Sequence, residues 1–401
     1  MVGGSFAVVM TVAGDPVKTI IPVARPWMDE QEAAAARRAI LSGWVTQGPE
    51  VAAFEQEFAD AVGAAHACAV SSCTTALHLA LLALGVGPGD EVVTVSHSFI
   101  ATANAIRYCG ATPVFVDIDL ATFNIDPALV DVAIGPRTKA ILAVHQIGMP
   151  SDLAALTAVA ARHGVPLVED AACAVGSEVE WQGGWQRIGR PHGAIACFSF
   201  HPRKLLSTGD GGMLTTSNSD LDRRFRLLRQ HGMSVPDAVR HTSNQVIFEE
   251  YPVTGYNYRM TDIQAAIGRE QLKRLPSIVA RRRQLAARYD AGLRSIDGLV
   301  VPREPVWARS NWQSYAVRIG AWIDQRTFMQ RMLDAGIATR RGVMNVHRES
   351  AFPPGTWRAG SALERSEEAQ DTAVILPLFH QLTDADQDRV IDTIARVVRD
   401  F

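Results

Sequence analysis

Between residues 66 and 169 the chain alternates short apolar runs with helix-length stretches. The runs "HACAV", "EVVTV", "TPVFV", "KAILAV" and "VPLVE" are separated by stretches such as "TTALHLALLAL", "FIATANAIRYCG" and "SDLAALTAVAARHG". Apolar strands joined by helices of this length predict an α/β fold, with a mostly parallel sheet flanked by helices on both faces. Two further strands, "AIACFSF" and "GGMLTTS", lie on either side of "HPRKLLSTGD". Ahead of the sheet, Asp29 is placed to cap an alanine-rich helix ending near Gly43. Val51, Phe54, Phe58 and Val62 make one face of a second helix. A long, Arg-rich helical region is predicted from about Thr261 to Leu293. Beyond it, "SYAVRI", "RTFMQRMLDAG" and "TDADQDRVIDTIARVVRD" predict a smaller α+β unit. The expected organisation is an arm (1–24), a large domain (25–270) and a small C-terminal domain (271–401). The polar segment from Arg348 to Glu368, with Pro353, Pro354 and Gly355, is predicted as a loop.

Composition narrows the partners. Of 401 residues, 47% are hydrophobic and 20% charged, which disfavours disordered and fibrous classes. With 39 Lys and Arg against 42 Asp and Glu, the net charge is −3, and nothing demands a nucleic acid or an anionic membrane. No stretch approaches the ~18–20 apolar residues of a membrane span. The opening "MVGGSFAVVMTVAGDP" has an apolar run without a basic region before it, so no secretory signal is expected. The five cysteines are scattered and odd in number, and with the scattered histidines they offer no zinc spacing. Reduced thiols, a cytoplasmic location and a small-molecule partner are the expectation, with no metal.

Ligands of open α/β sheets collect at the carboxyl ends of strands, and three such ends carry chemistry. In "AVSSCTTALHLAL" a strand leads into small hydroxylated residues and a helix start. Ser72 or Thr74 there serves either as a simple cap or as part of a phosphate seat. In "PLVEDAACAVGS", Glu169 and Asp170 end an apolar strand; an acid there either caps a helix or holds a cation, a metal or a protonated ring nitrogen. In "ACFSFHPRKLLSTGDGGML", Lys204 follows a strand and precedes glycines 209, 211 and 212. It is either a surface lysine or an amine nucleophile. A lysine nucleophile, an acid for a pyridinium nitrogen and a phosphate seat are together what pyridoxal phosphate (PLP) requires. The "GVGPGD" turn lacks the G-x-G-x-x-G order of a dinucleotide site.

The ordered series "SGWVTQGPEVAAFEQEFA", "SSCTTALHLALLALGVGPGDEV", "SFIATANAI", "GATPVFVDID", "TFNIDP", "VEDAACAVGS", "FSFHPRKLLSTGDGGML", "LRQHG" and "GYNYRMTDIQAAIG" resembles the DegT/DnrJ/EryC1/StrS family of sugar aminotransferases. The resemblance runs from about Arg25 to the C-terminus. It implies the fold-type I, aspartate-aminotransferase-like architecture, with a sheet of the seven-stranded type in the large domain. It implies PLP as cofactor, with pyridoxamine phosphate formed in the cycle. On matching positions, Lys204 is implied as the lysine that bonds the cofactor and later moves the proton, and Asp170 as the partner of the pyridine nitrogen. Phe99 is implied to stack on the ring, or else to be a core aromatic. Cys73, Thr74 and Ser199 are implied around the phosphate, with Asn257 reaching it from a neighbouring subunit of a homodimer.

The chain departs from the family pattern at several positions. Cys73 stands where a glycine is frequent, and Cys173 where many relatives have Gln beside the cofactor. His97 stands where an aromatic or other residue is usual; it either faces the substrate or is structural. Lys204 is not the histidine of related sugar dehydratases, which implies transamination over dehydration. His201, beside Lys204, is a further substrate-site candidate. Arg340 and Arg341 are candidates for a nucleotide diphosphate, or else a solvated pair. His347 is a candidate near them, and Trp44 and Tyr315 are pocket walls or core. The implied reaction moves an amino group from L-glutamate or L-glutamine to a nucleotide-linked keto-deoxysugar. A cyclitol or aminoglycoside-precursor ketone is the alternative acceptor. A regulatory or sensory protein that kept the fold is the non-catalytic alternative, distinguished by failure to take up cofactor.

Overall fold

The computed structural model describes residues 20–235 and 243–401. Most of the expected N-terminal arm, residues 1–19, lies outside the described residues. Two helices, α1 (Glu30–Leu41) and α2 (Pro49–Val62), precede the sheet. Then β1 (His66–Val70), α3 (Cys73–Ala83), β2 (Glu91–Val95), α4 (Ala101–Tyr108), β3 (Thr112–Val116), α5 (Pro127–Ala133), β4 (Thr138–Val144), α6 (Leu153–His163) and β5 (Leu167–Asp170) alternate as the apolar runs predict. A small side sheet of β6 (Glu178–Trp181), β7 (Gly184–Arg187) and β11 (Ala308–Arg309) interrupts the series. The main sheet resumes with β8 (Ile195–Ser199) and β9 (Gly212–Thr216), followed by α7 (Ser219–Arg229) and α8 (Asp262–Leu293).

Spatially, the large sheet runs β1-β9-β8-β5-β4-β2-β3, and a two-residue strand, β14 (Arg358–Ala359), extends it to eight. β9 runs against both its neighbours; the remaining pairings are parallel. Each strand divides its side chains between two cores, as the period of two requires. Val93 and Val95, Ile141 and Ala143, and Ala196 and Phe198 enter one. Val92, Ala140 and Leu142, and Ile195 and Cys197 enter the other. Both faces are therefore covered by helices, which is why the strands read as continuous apolar runs.

A four-stranded antiparallel sheet follows, ordered β10 (Leu299–Val300), β12 (Tyr315–Ile319), β15 (Ala373–Leu376) and β13 (Arg340–Arg341). Helices α9 (Gln325–Asp334), α10 (Glu364–Thr372) and α11 (Asp384–Arg399) complete this part. The 32-residue α8 spans about 48 Å at 1.5 Å per residue. Its Leu275, Ile278 and Val279 pack on the large sheet, and its Leu285, Ala286, Tyr289 and Leu293 on the C-terminal core. Ile21 lies on the C-terminal part, with hydrogen bonds to Gly336 and Ala338 at 2.9 Å each.

Sequence-local caps form where expected. Asp29 accepts from Gln31 N–H, and Glu32 returns a bond to Asp29 N–H at 2.8 Å. α2 is capped from a distance. Its Gly48 has no side chain, and Asp262 accepts from the N–H groups of Gly48, Val51 and Glu50 at 2.8, 3.0 and 3.2 Å.

The segment from Arg348 to Glu368 is not the uninterrupted loop expected. β14 pairs with β3, held by Arg358 on Glu91 at 2.9 Å. α10 then begins at Glu364 because Asp117, at the end of β3, accepts from Arg365 and Ser366 N–H at 2.9 and 2.7 Å. A carboxylate some 250 residues away starts that helix, so local composition conceals it.

One ion cluster pins α2 and α7 beneath β1. Buried Glu55 accepts from Arg226 at 2.6 Å, from Arg229, and from Ala69 N–H at 2.9 Å. Burial pushes its carboxyl up, but the charges of Arg229 and Arg226 outweigh burial and hold it below the usual glutamate range. A depressed folded-state value gives stability that is present above the ordinary value and lost as pH falls through the folded one. Glu55→Gln strands the buried Arg229 cation and is expected to cost about 3–5 kcal/mol at neutral pH. Urea unfolding midpoints should differ widely at pH 7 and converge as the pH is taken below the glutamate range. Equal midpoints at pH 7 would show that the cluster contributes nothing.

Candidate active site

The C-terminal ends of β2, β5 and β8, the start of β9 and the N-terminus of α3 meet at one edge of the large sheet. Ser72 caps α3: its hydroxyl accepts from Thr75 N–H at 3.2 Å, and the Thr75 side chain answers from the other side. The two preceding N–H groups, of Cys73 and Thr74, are first-turn donors without intrahelical acceptors. The Thr74 hydroxyl is likewise unpartnered among the described residues. Gly212 passes directly behind this turn. A Cβ there would stand 2.5 Å from the Ser72 carbonyl carbon and 2.7 Å from the Cys73 nitrogen, so the close approach requires glycine.

At the end of β5, Asp170 is buried. Thr102, in the first turn of α4, donates to one of its oxygens at 2.8 Å, and Ala172 N–H to the other at 3.1 Å. Having given its only proton to Asp170, the Thr102 hydroxyl accepts from Ser98 at 2.7 Å. Each carboxylate oxygen keeps a lone pair for a further donor. Burial pushes the Asp170 carboxyl above the usual range, against the pull of Thr102, Ala172 and the Lys204 charge.

Lys204 sits in the turn after β8, its N–H bonded to the His201 carbonyl at 2.8 Å. Its ammonium donates to the Cys173 sulfur at 2.9 Å. Burial disfavours that charge, but Cys173 above all, then Cys73 and Asp170, offset it and hold the amine above the ordinary lysine range. The turn is braced from the C-terminal part. Gln313 donates to the Arg203 carbonyl at 2.6 Å, and Asn311 to the carbonyls of Cys173 and Val175 at 2.8 Å each.

β2 and its extension are buried from Glu91 to Ser98, and then Phe99 emerges 62% exposed. An aromatic face in the open at a strand end is free to stack on a ligand and is not a core side chain. The constellation is therefore a lysine amine, a buried carboxylate with spare lone pairs, an aromatic face and a helix N-terminus with free donors.

A family model, the DegT/DnrJ/EryC1/StrS aminotransferase family, matches residues 26–395. The chain belongs to the DegT/DnrJ/EryC1/StrS aminotransferase family. The spore coat polysaccharide biosynthesis protein SpsC of Bacillus subtilis (strain 168) is 38% identical over 383 residues, covering 94% of this chain and 97% of that protein. Among solved structures, the aminotransferase TlmJ from Streptoalloteichus hindustanus is 38% identical with a TM-score of 0.86, covering 95% of this chain and 99% of that one. A protein from Streptococcus pneumoniae solved in its PLP form is 27% identical with a TM-score of 0.86, covering 95% and 99% of the two chains.

This aminotransferase is PLP-dependent, and its residues fit the cofactor. The orphan Cys73 and Thr74 N–H groups, the Thr74 hydroxyl and Ser199 would take the phosphate, with α3 adding its positive end. Phe99 would take a ring face, Asp170 a ring N–H, and Lys204 the aldehyde carbon. When bound, PLP supplies an electron sink for the carbanion formed at the donor's α-carbon. Asp170, oriented by Thr102, would keep a positive ring nitrogen, and Lys204 would move the proton at that carbon.

The remaining predicted residues divide. His201 and Cys173 flank Lys204. His347 reaches the same strand end as Phe99: its Nδ1 lies 2.7 Å from the Ser96 hydroxyl and its Nε2 3.0 Å from Glu367. Trp44 packs across Gly48 and donates to the Gln47 carbonyl at 3.1 Å. Arg340 and Arg341 are exposed on edge strand β13, with Glu349 3.9 Å from Arg341. Asn257 is exposed, bridged to Gln230, and the adjacent Tyr258 carbonyl accepts from Ser71 N–H at 2.8 Å.

Two candidates take the second of their alternatives. His97 is structural and does not face a substrate: it is fully buried, its Nδ1 is 3.2 Å from the Asn345 amide oxygen, and it packs on Phe123. Burial lowers its imidazole to about 4, so it is neutral. Tyr315 is not a pocket wall. It lies in the C-terminal core between Tyr289 and Trp312, and its hydroxyl donates to Asp290 at 2.5 Å.

Thr102, Asn311 and Gln313 join the site without having been expected there. Thr102 had a usable signal, since it stands three residues after Phe99 at helical spacing. The "SNWQS" run had none, because the groups it braces at the site, the carbonyls of Cys173, Val175 and Arg203, lie more than 100 residues away.

Gly212→Ala is expected to push β9 off the phosphate seat. Overpacking of this kind costs about 1–3 kcal/mol, and PLP affinity should fall about 5- to 150-fold if that cost falls on the bound state. Titration of cofactor-stripped protein checks this; unchanged affinity contradicts the cradle.

Proposed function

We propose that the protein transfers an amino group from L-glutamate or L-glutamine to the ketone of a nucleotide-linked keto-deoxysugar, a step of amino-sugar biosynthesis. The observation that carries this is the Lys204 amine standing in the same site as buried Asp170 and the α3 phosphate seat. A histidine at that position could not bond the cofactor or return the proton as an amine does, so lysine favours amination over dehydration. SpsC, by its name, serves spore coat polysaccharide biosynthesis, which supports a carbohydrate acceptor.

Arg340 and Arg341, exposed and loosely engaged, suit a diphosphate through charge-assisted bonds. The working unit we infer is a cytoplasmic homodimer, each chain divided into an arm (1–24), a PLP-binding domain (25–270) and a small domain (271–401). Exposed Val246, Phe248, Tyr251 and Val253 favour burial against a second copy, with Asn257 close by in sequence. No helix among the described residues is long and apolar enough to cross a membrane.

The test offers the glutamate-loaded enzyme matched nucleotide-linked keto-deoxysugars and keto-cyclitols. Amination of the former, weakened by Arg340→Ala with Arg341→Ala, supports the proposal. Amination of the cyclitols alone would replace the acceptor.

A further inference from the structure

Cys173 is the cysteine that the fold leaves partly open; Cys68, Cys73, Cys109 and Cys197 are buried. Burial pushes the thiols of Cys68 and Cys109 up to about 12, and those of Cys73 and Cys197 well above the ordinary range. Since the thiolate is the form that oxidants attack, these four are protected both sterically and chemically. Cys173 is instead only half-buried and already in contact with the Lys204 amine at 2.9 Å. Its backbone is fixed by Asn311 and the lysine turn by Gln313, so the two groups are held together from both sides.

We propose that Cys173 and Lys204 form a peroxide-driven modification site, closing a reversible sulfur–nitrogen bond that takes the lysine out of service. In the first step hydrogen peroxide converts the thiol, Cys–SH, to the sulfenic acid, Cys–S–OH, with release of one water. Sulfur loses two electrons and the peroxide is reduced to water. A sulfenic acid condenses with a neighbouring nitrogen. In the second step the neutral lysine amine attacks the sulfenic acid, giving Cys–S–NH–Lys and a second water. The S–O bond breaks as the S–N bond forms, and hydroxide leaves with an amine proton. A small thiol reverses it, two thiols becoming one disulfide while Cys173 and Lys204 are released.

The neutral amine is the attacking form, and oxidation itself helps to supply it. The sulfur offsets the burial that disfavours a charged Lys204. Once that sulfur carries a hydroxyl, burial acts with less opposition and favours the neutral amine. Bonding of PLP to Lys204 competes for the same nitrogen. The inference is independent of the acceptor proposed above, because it needs only these two side chains.

The experiment treats cofactor-stripped protein and the PLP-saturated enzyme with hydrogen peroxide, then reads intact mass and peptide maps. Expected is the loss of two hydrogens from the stripped protein, mapping to a peptide pair joined through Cys173 and Lys204. A thiol reductant should erase it, PLP saturation should suppress it, and Cys173→Ser should lack it. In Lys204→Gln, Cys173 should collect oxygen atoms instead of a link. Oxygen added to Cys173 with Lys204 unlinked in the unmutated protein overturns the proposal. So does a disulfide mapped to Cys73, or a Cys173 that peroxide leaves untouched. The unmutated protein alone decides the matter, whether or not the variants fold.

Discussion

Lys204→Ala is expected to lower amino transfer from L-glutamate by at least about a thousandfold, since a positioned proton-transfer group alone is worth about 10²–10⁴. The variant should still bind PLP through the α3 seat, Asp170 and Phe99, because none of these depends on the lysine. Borohydride treatment followed by peptide mapping should fix the cofactor on the Lys204 peptide of the unmutated protein and leave the variant unlabelled. Added methylamine should restore a fraction of the rate, since it supplies an amine of similar basicity. A variant that keeps most of its rate would remove Lys204 from the chemistry.

Asp170→Asn is the second large effect. The amide has nearly the shape of the carboxylate, and its one oxygen can still accept from Thr102 while the longer bond from Ala172 N–H is given up, so the β5 end should stay in place. What it loses is the negative charge that would face the ring nitrogen. In a buried site that charge is worth several kcal/mol, because water does not screen it. The expected result is a fall in kcat of about 10²-fold or more. Thermal stability should change little, since burial already disfavours the ionised form. Loss of folding instead of loss of rate would make Asp170 a structural residue. Thr102→Val should follow in the same direction with a smaller effect, because it acts only by orienting Asp170.

The part of this design that was legible in the sequence is the part encoded locally. The strands between His66 and Asp170 showed as apolar runs because both faces of the sheet are covered. Asp29 and Ser72 act as caps within three residues of their targets, so their types and spacing were enough. Lys204, Asp170 and Phe99 stand just past strand ends, where order along the chain predicts convergence. Contacts set by distant segments were hidden. α2 takes its cap from Asp262 and α10 from Asp117, each more than 200 residues away. His97 lies two residues from Phe99, yet one is sealed beneath Asn345 and the other is open, a difference that only the packing of the C-terminal segment creates. Tyr315 carried an alternating strand pattern that could not say which core its face would enter.

The most direct measurement is the absorption spectrum of the PLP-saturated enzyme, recorded before and after L-glutamate. The account predicts a band near ~410–430 nm that gives way to one near ~330 nm as the amino group is taken up, and that returns when a nucleotide-linked keto-deoxysugar accepts it. A spectrum that glutamate and glutamine both leave unchanged would contradict the assignment of Lys204 and Asp170 to amino transfer.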